Sequence, residues 1–351
     1  MSIALLDDPK SHGASAIAAG MLAPVTEVHH GEEALLQLNI ESSRRYPAFV
    51  GELEAATGIE VRYRRCGTLM AARDSDDNVE LDEIFAFQRS LGLEVERLDS
   101  KTARALEPGL ASSIRGGILA PNDHQVDPAE LLGALRIACV ANGVELIERR
   151  ATALELDGER VTGVIDESGA TVAADQVVIA AGVGSGRLSG GLPPKAMPAV
   201  RPVKGQLVVL AGRGPFGIAD RNIRGLDVYV VSRTNGRVVV GATVEEMGYD
   251  TSVTAGGVHA LLRDAYELLP DLVELRFVRG AAGLRPTTPD NAPLLGAGLL
   301  DGFVVASGHF RNGVLLTPIT GDTIAELLAT GKTPDAIVPF SPTRFAPEVA
   351  V

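Results

Sequence analysis

The sequence predicts a two-lobed α/β protein, in which an open parallel sheet is interrupted by an antiparallel, β-rich insertion. Units that join a short apolar strand to a helix occur at both ends of the chain and again over 125–186. Between them lie three β-rich segments, QLVVLAG, LDVYVVSR and RVVVGAT, and Asn235-Gly236 between the last two is typical of a tight hairpin. The 351 residues are enough for two lobes with sizeable cores. The parallel part would bind a nucleotide at the carboxyl ends of its strands.

The amino-terminal third begins with SIALLDD, an apolar run typical of a buried parallel strand. Apolar residues at helical spacing predict a helix over 31–57, with a kink at Pro47. The segment 59–73 predicts two short strands that turn near Gly67.

The carboxyl-terminal two thirds carry clearer boundary signals. Asp127 is a natural N-cap, Pro128 suits the first helical position, and Glu130 completes a capping box. Asn142-Gly143 ends that helix, and the strand VELIE follows. Further on we predict a buried strand that enters a glycine-rich turn over 174–186, a helix over 258–270, and a strand GFVVASG that enters a helix near residue 312.

Composition excludes several classes of function. The formal net charge of −13 argues against nucleic acid, which requires a basic surface, and disfavours anionic membranes. Cys66 and Cys139 fit no ligand or redox spacing and indicate buried thiols in a reducing compartment. No apolar run reaches the ~20 residues of a membrane helix, and no signal peptide is evident, so we expect a cytoplasmic protein.

Three segments have residues that suit a nucleotide, each with a plainer alternative. Asp7 closes a strand where dinucleotide folds hold a ribose, but the residue by itself favours a solvated loop acid. GASAIAAGML (13–22) is small enough for close backbone approach to a ligand, or is a tight loop packed on a helix. VVIAAGVGSG, with a G-x-G-x-G, is also explained by a strand-to-helix turn.

Arg285, in GLRPTTPD, and Arg311, in GHFRNGVLLTPITGD, lie in apolar settings where a charge must be paired. A planar guanidinium matches a carboxylate bidentately. With Tyr229 on a neighbouring strand, the two arginines would bind a small carboxylic acid; alternatively, each pairs with one of the protein's own acids.

His309 is a candidate acid, base or cofactor contact, or a structural hydrogen bonder. No catalytic triad, carboxylate pair or zinc spacing is evident, which favours chemistry by a bound redox cofactor.

Together, these segments resemble the FAD-dependent D-amino-acid and sarcosine oxidase family, and within it the glycine oxidases of thiazole (thiamine) biosynthesis. The resemblance covers nearly the whole chain and rests on the order and spacing of AIAAGML, VDP, RPVKGQL, YVVSRTNGRVVVGAT, AGLRPTTPDNAPLLG and SGHFRNGVLLTPITG. It implies an FAD-binding domain with a Rossmann-like sheet (1–58, 125–200 and 280–351) and a substrate-binding domain (59–124 and 201–279).

The resemblance also implies site residues. The expected FAD contacts are Asp7 and Asp8 at the ribose, Ala153 near the adenine half, and Ala14, Ser15, Ala19, Gly20, Met21, His309, Phe310, Arg311, Asn312, Gly313, Val314 and Leu315 around the flavin. Arg285 is expected to bind the substrate carboxylate, with Tyr229, Arg311 and Val244 beside it. Val244 stands where some glycine oxidases have methionine, which leaves the amine substrate open.

The activity so implied is oxidation of glycine, with oxygen as electron acceptor, to an imine and glyoxylate, ammonia and hydrogen peroxide. Sarcosine or D-amino acid oxidation, and an inactive cofactor-poor remnant or binding protein, are the alternatives. Relatives often form homo-oligomers, although no motif here indicates an interface. The glycine-rich strand, loop and helix expected before Asp7 is not in this sequence, so we expect either a natural start upstream of Met1 or weak FAD binding.

Overall fold

The computed structural model describes residues 2–8, 13–188, 192–193, 196–212 and 217–345. The helices are α1 (Glu33–Thr57), α2 (Ser75–Ser90), α3 (Ser100–Leu106), α4 (Pro128–Ala141), α5 (Ala255–Leu268) and α6 (Thr317–Thr330). The strands are β1 (Ala4–Leu6), β2 (Met21–Leu22), β3 (Thr68–Ala72), β4 (Glu96–Asp99), β5 (Gly116–Ala120), β6 (His124–Gln125), β7 (Glu145–Ile147), β8 (Ala151–Asp157), β9 (Arg160–Asp166), β10 (Thr171–Ala173), β11 (Val177–Ile179), β12 (Arg201–Ala211), β13 (Asn222–Arg224), β14 (Tyr229–Ser232), β15 (Arg237–Gly241), β16 (Arg276–Thr287), β17 (Leu294–Ala297) and β18 (Phe303–Ser307).

Parallel strand pairs and three long helices form one part of the fold. Strand β1 pairs in parallel with β7, and β11 pairs in parallel with β18, which β17 joins in antiparallel. Helix α1 packs against α4 and α6, and its Ser42 and Tyr46 hydroxyls donate to the carbonyls of Leu315 (2.7 Å) and Val314 (2.6 Å). The chain that follows β18 is thereby fixed to α1.

The predicted antiparallel block is an eight-stranded sheet in the order β16-β12-β15-β14-β13-β3-β5-β4. All neighbours are antiparallel except β13 and β3, which run parallel. Helix α5 covers one face, where Leu261 and Ala265 pack with Val208 and Val240 in the largest apolar core of the described residues. The sheet takes its strands from two stretches, 68–120 and 201–287.

Local signals place several boundaries correctly. Asp127 accepts a hydrogen bond from the Ala129 amide and caps α4. Gly58, in the left-handed region at φ +70°, ends α1. Pro47 lies inside this helix, which continues past it to Thr57. Strands β14 and β15 pair on either side of Asn235-Gly236, as the hairpin signal predicts.

Other local predictions are wrong. Only Thr68–Ala72 of the segment 59–73 is a strand, because the preceding residues meet just a single bridge, Arg64 to Gln125. Strand β1 is parallel but not buried, since Leu5 is 39% exposed at the wall of a large cavity. The last helix begins at Thr317, because a 3₁₀ turn over Phe310–Asn312 comes first.

In the described part of the chain, none of the helices combines the length and the apolar character that crossing a bilayer requires.

Candidate active site

A cavity of about 3140 Å³ lies against β1 and β11 over their whole length, includes the loops at their carboxyl ends and reaches the eight-stranded sheet. Asp7 and Asp8 after β1, Gly182 after β11, and His309 after β18 all line it. Pockets for a single small ligand are usually ~300–1,000 Å³, so this cavity has room for an extended cofactor together with a substrate. The carboxyl ends of parallel strands are where dinucleotides bind in α/β folds.

One wall of the cavity is the small-residue segment 13–21, which contains the predicted contacts Ala14, Ser15, Ala19, Gly20 and Met21. Gly20 has φ +74°, and a Cβ there would lie 2.1 Å from the Val126 carbonyl oxygen, so only glycine fits. The buried Arg233 guanidinium donates to the carbonyls of Ala19 and Val126 and ties the two segments together. The segment 13–21 therefore has no side-chain bulk at Gly20, and Arg233 fixes it against the backbone at Val126.

The two acids after β1 also lie at the cavity. Asp7 pairs with Arg136 of α4 at 2.9 Å, and both side chains are roughly half exposed. Ala153, expected near the adenine half of FAD, does not itself line the cavity, although its neighbours Ala151 and Thr152 do.

The loop after β18 supplies another wall, to which each residue from His309 to Leu315 contributes. His309 Nε2 is 3.0 Å from the Thr320 hydroxyl, and burial lowers the pKa of this imidazole to about 4. The ring is therefore neutral at physiological pH. Phe310 lies in the left-handed region at φ +49°, which turns the chain before Arg311.

Arg285, on β16, lines the cavity and forms no ion pair with a carboxylate of the described residues. Its Nη1 donates to the carbonyls of Thr243 (3.0 Å) and Lys204 (3.3 Å), and no carboxylate of a described residue lies within 4 Å. Burial lowers the pKa of Arg285. Gly205 on β12 makes room for it, since a Cβ there would lie 2.4 Å from Nη1. A partly buried guanidinium that faces a cavity and has unused donors is suited to an anionic ligand.

Tyr229 lies on the same sheet as Arg285, on β14, which β15 and β12 separate from β16, and it lines the same cavity. It occupies β14 opposite Gly241 of β15, where a Cβ would lie 2.4 Å from the phenol oxygen. Burial raises the pKa of Tyr229, although the Arg285 charge opposes the shift. The hydroxyl is therefore neutral and can donate a hydrogen bond into the cavity.

Arg311 pairs with the protein's own acids, which is the alternative that the sequence left open. Its Nε is 3.2 Å from Glu27, and its Nη2 donates to the Glu32 carboxylate and to the Glu27 carbonyl (3.1 Å). Glu27 also binds Arg224 of β13, so arginines and glutamates alternate along this wall. All four side chains are less than a fifth exposed.

Val244 lines the cavity at 71% exposure, directly after Thr243, the carbonyl partner of Arg285.

The sequence did not indicate Arg224, Glu27, Glu32 or Gly205 as residues of the site. The acids precede α1 without any periodic or motif signal, and only the RPVKGQL segment gave a hint of Gly205.

A long cavity at the ends of parallel strands, closed by a β-rich sheet that presents an unpaired arginine, defines a nucleotide-cofactor enzyme that acts on a small acid. The family model for FAD-dependent oxidoreductases, termed DAO, matches residues 1–327. The chain belongs to this family of FAD-dependent oxidoreductases.

Particular relatives cover almost the whole chain. Glycine oxidase of Geobacillus kaustophilus (strain HTA426) is 34% identical over 342 residues, which are 97% of this chain and 89% of the relative. The crystal structure of glycine oxidase from G. kaustophilus superposes with a TM-score of 0.89 at 32% identity, covering 98% of this chain and 92% of that one. The bifunctional protein ThiO/ThiG of Synechocystis sp. (strain ATCC 27184 / PCC 6803 / Kazusa) is 35% identical over 98% of this chain but only 50% of its own length.

The cavity residues fit the FAD that the family uses. Small side chains over 13–21 allow flat rings to approach the backbone, and a Cβ added at Gly13 or Gly182 would meet no atom within 4 Å. Asp7 and Asp8 place carboxylates at the end of β1, where a ribose hydroxyl is expected.

Proposed function

We propose that this chain catalyses flavin-dependent oxidation of glycine to its imine, which hydrolyses to glyoxylate and ammonia while oxygen is reduced to hydrogen peroxide. The observation that carries the proposal is Arg285, a partly buried guanidinium that faces the cavity without an acidic partner among the described residues. Similarity to ThiO/ThiG supports a role for the product in thiazole synthesis.

Arg285 would bind the substrate carboxylate, and its carbonyl contacts to Thr243 and Lys204 would fix the guanidinium plane. Tyr229 would donate its neutral hydroxyl to the same carboxylate. Arg311 would shape the cavity wall and not bind substrate, because Glu27 and Glu32 already occupy its guanidinium. The fixed carboxylate leaves the amine and α-carbon as the groups directed towards the cofactor.

The cofactor would be held by the segment 13–21, by Asp7 and Asp8, and by the loop 309–315. When bound there, FAD would supply the two-electron oxidation of the α-carbon and the reduction of oxygen to hydrogen peroxide. The neutral His309 adds no positive charge beside the amine, which must itself be neutral to react.

A direct test compares Arg285→Met with Arg276→Met, which removes an exposed arginine from the other end of the same strand. Glycine added without oxygen should bleach the flavin absorbance of the wild type and of Arg276→Met. We expect Arg285→Met to need a glycine concentration higher by about two orders of magnitude, since a charge-assisted contact is lost. Equal glycine dependence in the two variants would refute the role of Arg285.

Sarcosine and small D-amino acids are the second candidate substrates, which the exposed and small Val244 favours. Parallel anaerobic titrations with glycine, sarcosine and D-alanine would rank them. A peroxide assay in air would establish oxygen as the acceptor.

A further inference from the structure

Lys204 is a lysine whose side chain has no solvent-exposed surface, which is rare unless the charge is paired. It lies on β12, next to Gly205, and its Nζ is 2.5 Å from Asp250 and 3.6 Å from Glu245. Both acids belong to the segment 244–254, which links β15 to α5. A buried ammonium therefore holds a connecting segment by its acids.

The segment 244–254 forms the substrate end of the cavity, through Val244, Tyr249, Thr251 and Val253. It contains no helix or strand of its own, and Tyr249 and Val253 are 45% and 41% exposed. Such a segment has few apolar contacts to keep it in place, so its position depends on specific polar contacts.

The same lysine also touches the carboxylate-binding arginine. Its carbonyl accepts a hydrogen bond from Arg285, and also one from the Glu245 amide at 3.0 Å. Gln206 follows two residues later on β12, and its Nε2 donates to the Glu245 carboxylate (2.7 Å) and to the Thr254 hydroxyl (3.1 Å). Thr254 is the last residue of the segment. Lys204 thus contacts both Arg285 and the segment 244–254.

We propose that Lys204 is a positioning and specificity-determining residue, which fixes the segment 244–254 over the substrate end of the cavity and so limits the size of the amine that Arg285 can hold there. This rests on the proposed function. Lys204 acts through Asp250 and through Arg285 and touches no substrate itself.

Charge keeps this contact in place over the working range of pH. The hydrogen bond from Lys204 lowers the pKa of Asp250 to about 2, and the Asp250 contact raises the pKa of Lys204. A second contact, from Arg187, whose Cζ lies 4.3 Å from the centre of the Tyr249 ring, also holds the middle of the segment.

The test uses the full chain with Lys204→Met, Asp250→Asn and the double variant. Glu246→Gln is the control, because it breaks an ion pair between the same two stretches, Arg201 to Glu246, that is more than half exposed on both sides. We expect KM for glycine to rise about tenfold in each single variant, with kcat changed less, and the ratio of kcat/KM for D-alanine to that for glycine to increase. The double variant should be no worse than the worse single one, because both remove the same contact.

Amide hydrogen exchange provides a readout that does not depend on glycine oxidation. Amide hydrogen exchange over 244–254 should become faster in Asp250→Asn and stay unchanged in Glu246→Gln, with equal flavin content in all folded variants. Asp250→Asn alters a partly exposed residue, so it serves if Lys204→Met does not fold. Unchanged exchange and unchanged selectivity in Asp250→Asn would overturn the role of Lys204. Wild-type flavin that glycine does not reduce would instead refute the proposed function, and the exchange measurement would still decide the inference.

Discussion

Gly205 and Arg285 occupy adjacent strands, and the guanidinium of Arg285 fills the space that a side chain at 205 would need. A Cβ at Gly205 would lie 2.4 Å from Nη1 and 2.6 Å from Cζ. Gly205 pairs across the ladder with Gly283, so two glycines face each other beside the arginine. The Arg285 guanidinium can therefore occupy this position because Gly205 has no side chain.

Gly205→Ala is expected to displace the Arg285 guanidinium and to raise KM for glycine by about tenfold or more, since the contact at 2.4 Å cannot be kept. Steady-state kinetics together with flavin content would measure this effect. Gly133→Ala, on α4 with no atom within 4 Å of the added Cβ, is the control. The same KM in both variants would contradict the relationship.

Glu27→Gln is expected to lower the free energy of unfolding by about 3 kcal/mol, because Arg224 and Arg311 would share one charged partner fewer in a buried network. Urea denaturation would measure the loss. Glu33→Gln, an exposed change at the start of α1, should alter stability little. A loss equal to that of the control would mean that solvent, not Glu27, stabilises these arginines.

The imidazole of His309 is expected to stay neutral through the physiological range, since burial lowers its pKa to about 4. Protonation is disfavoured in the folded protein, so it should begin only below pH ~5. Nitrogen chemical shifts of His309, followed by NMR from pH 8 to 5, should show no transition. A midpoint near 6.5 would show instead that water reaches the ring.

Asp123 is expected to give the folded protein an unusual pH dependence. It is fully buried and accepts hydrogen bonds from the Val25 and Thr26 amides, yet burial raises its pKa to about 6. The folded state therefore binds the proton more tightly than the unfolded chain. The stability from protonated Asp123 is complete below pH ~4 and is lost as pH rises through 6, by roughly 3 kcal/mol.

Urea unfolding of wild type and Asp123→Asn at pH 4 to 7 would measure this dependence. The stability of the wild type relative to the variant should fall between pH 4 and 6 and then level off. Asp335→Asn, an exposed change, serves as control. A relative stability that does not vary with pH would contradict the raised pKa.

The sequence predicts those features that a few neighbouring residues determine. Asp127-Pro128 starts α4, and Asn235-Gly236 turns β14 into β15, because caps and tight turns need particular side chains locally. The segment 59–73 was predicted wrongly because a strand needs a partner, and only Thr68–Ala72 meets β5 and β13.

The candidate site likewise contains residues that the sequence identifies and residues that only the folded structure identifies. Arg285 and Arg311 stand out in the sequence for the same reason, a charge in an apolar setting, and both line the cavity. Their difference comes from Glu27 and Glu32, which tertiary packing brings to Arg311 from more than 270 residues away. Pairing over that separation leaves no trace in a single sequence.

The parallel pairing of β3 with β13 has a consequence for how the protein is made. The edge of β3 at Thr68 is covered only by Asn222 and its neighbours, so the two halves of the eight-stranded sheet are joined by a contact across about 150 residues. At ~5–20 residues per second, a ribosome needs on the order of ten seconds to supply the covering strand. During that interval the nascent β3–β5–β4 ladder exposes an apolar edge, and we expect chaperones to bind it there.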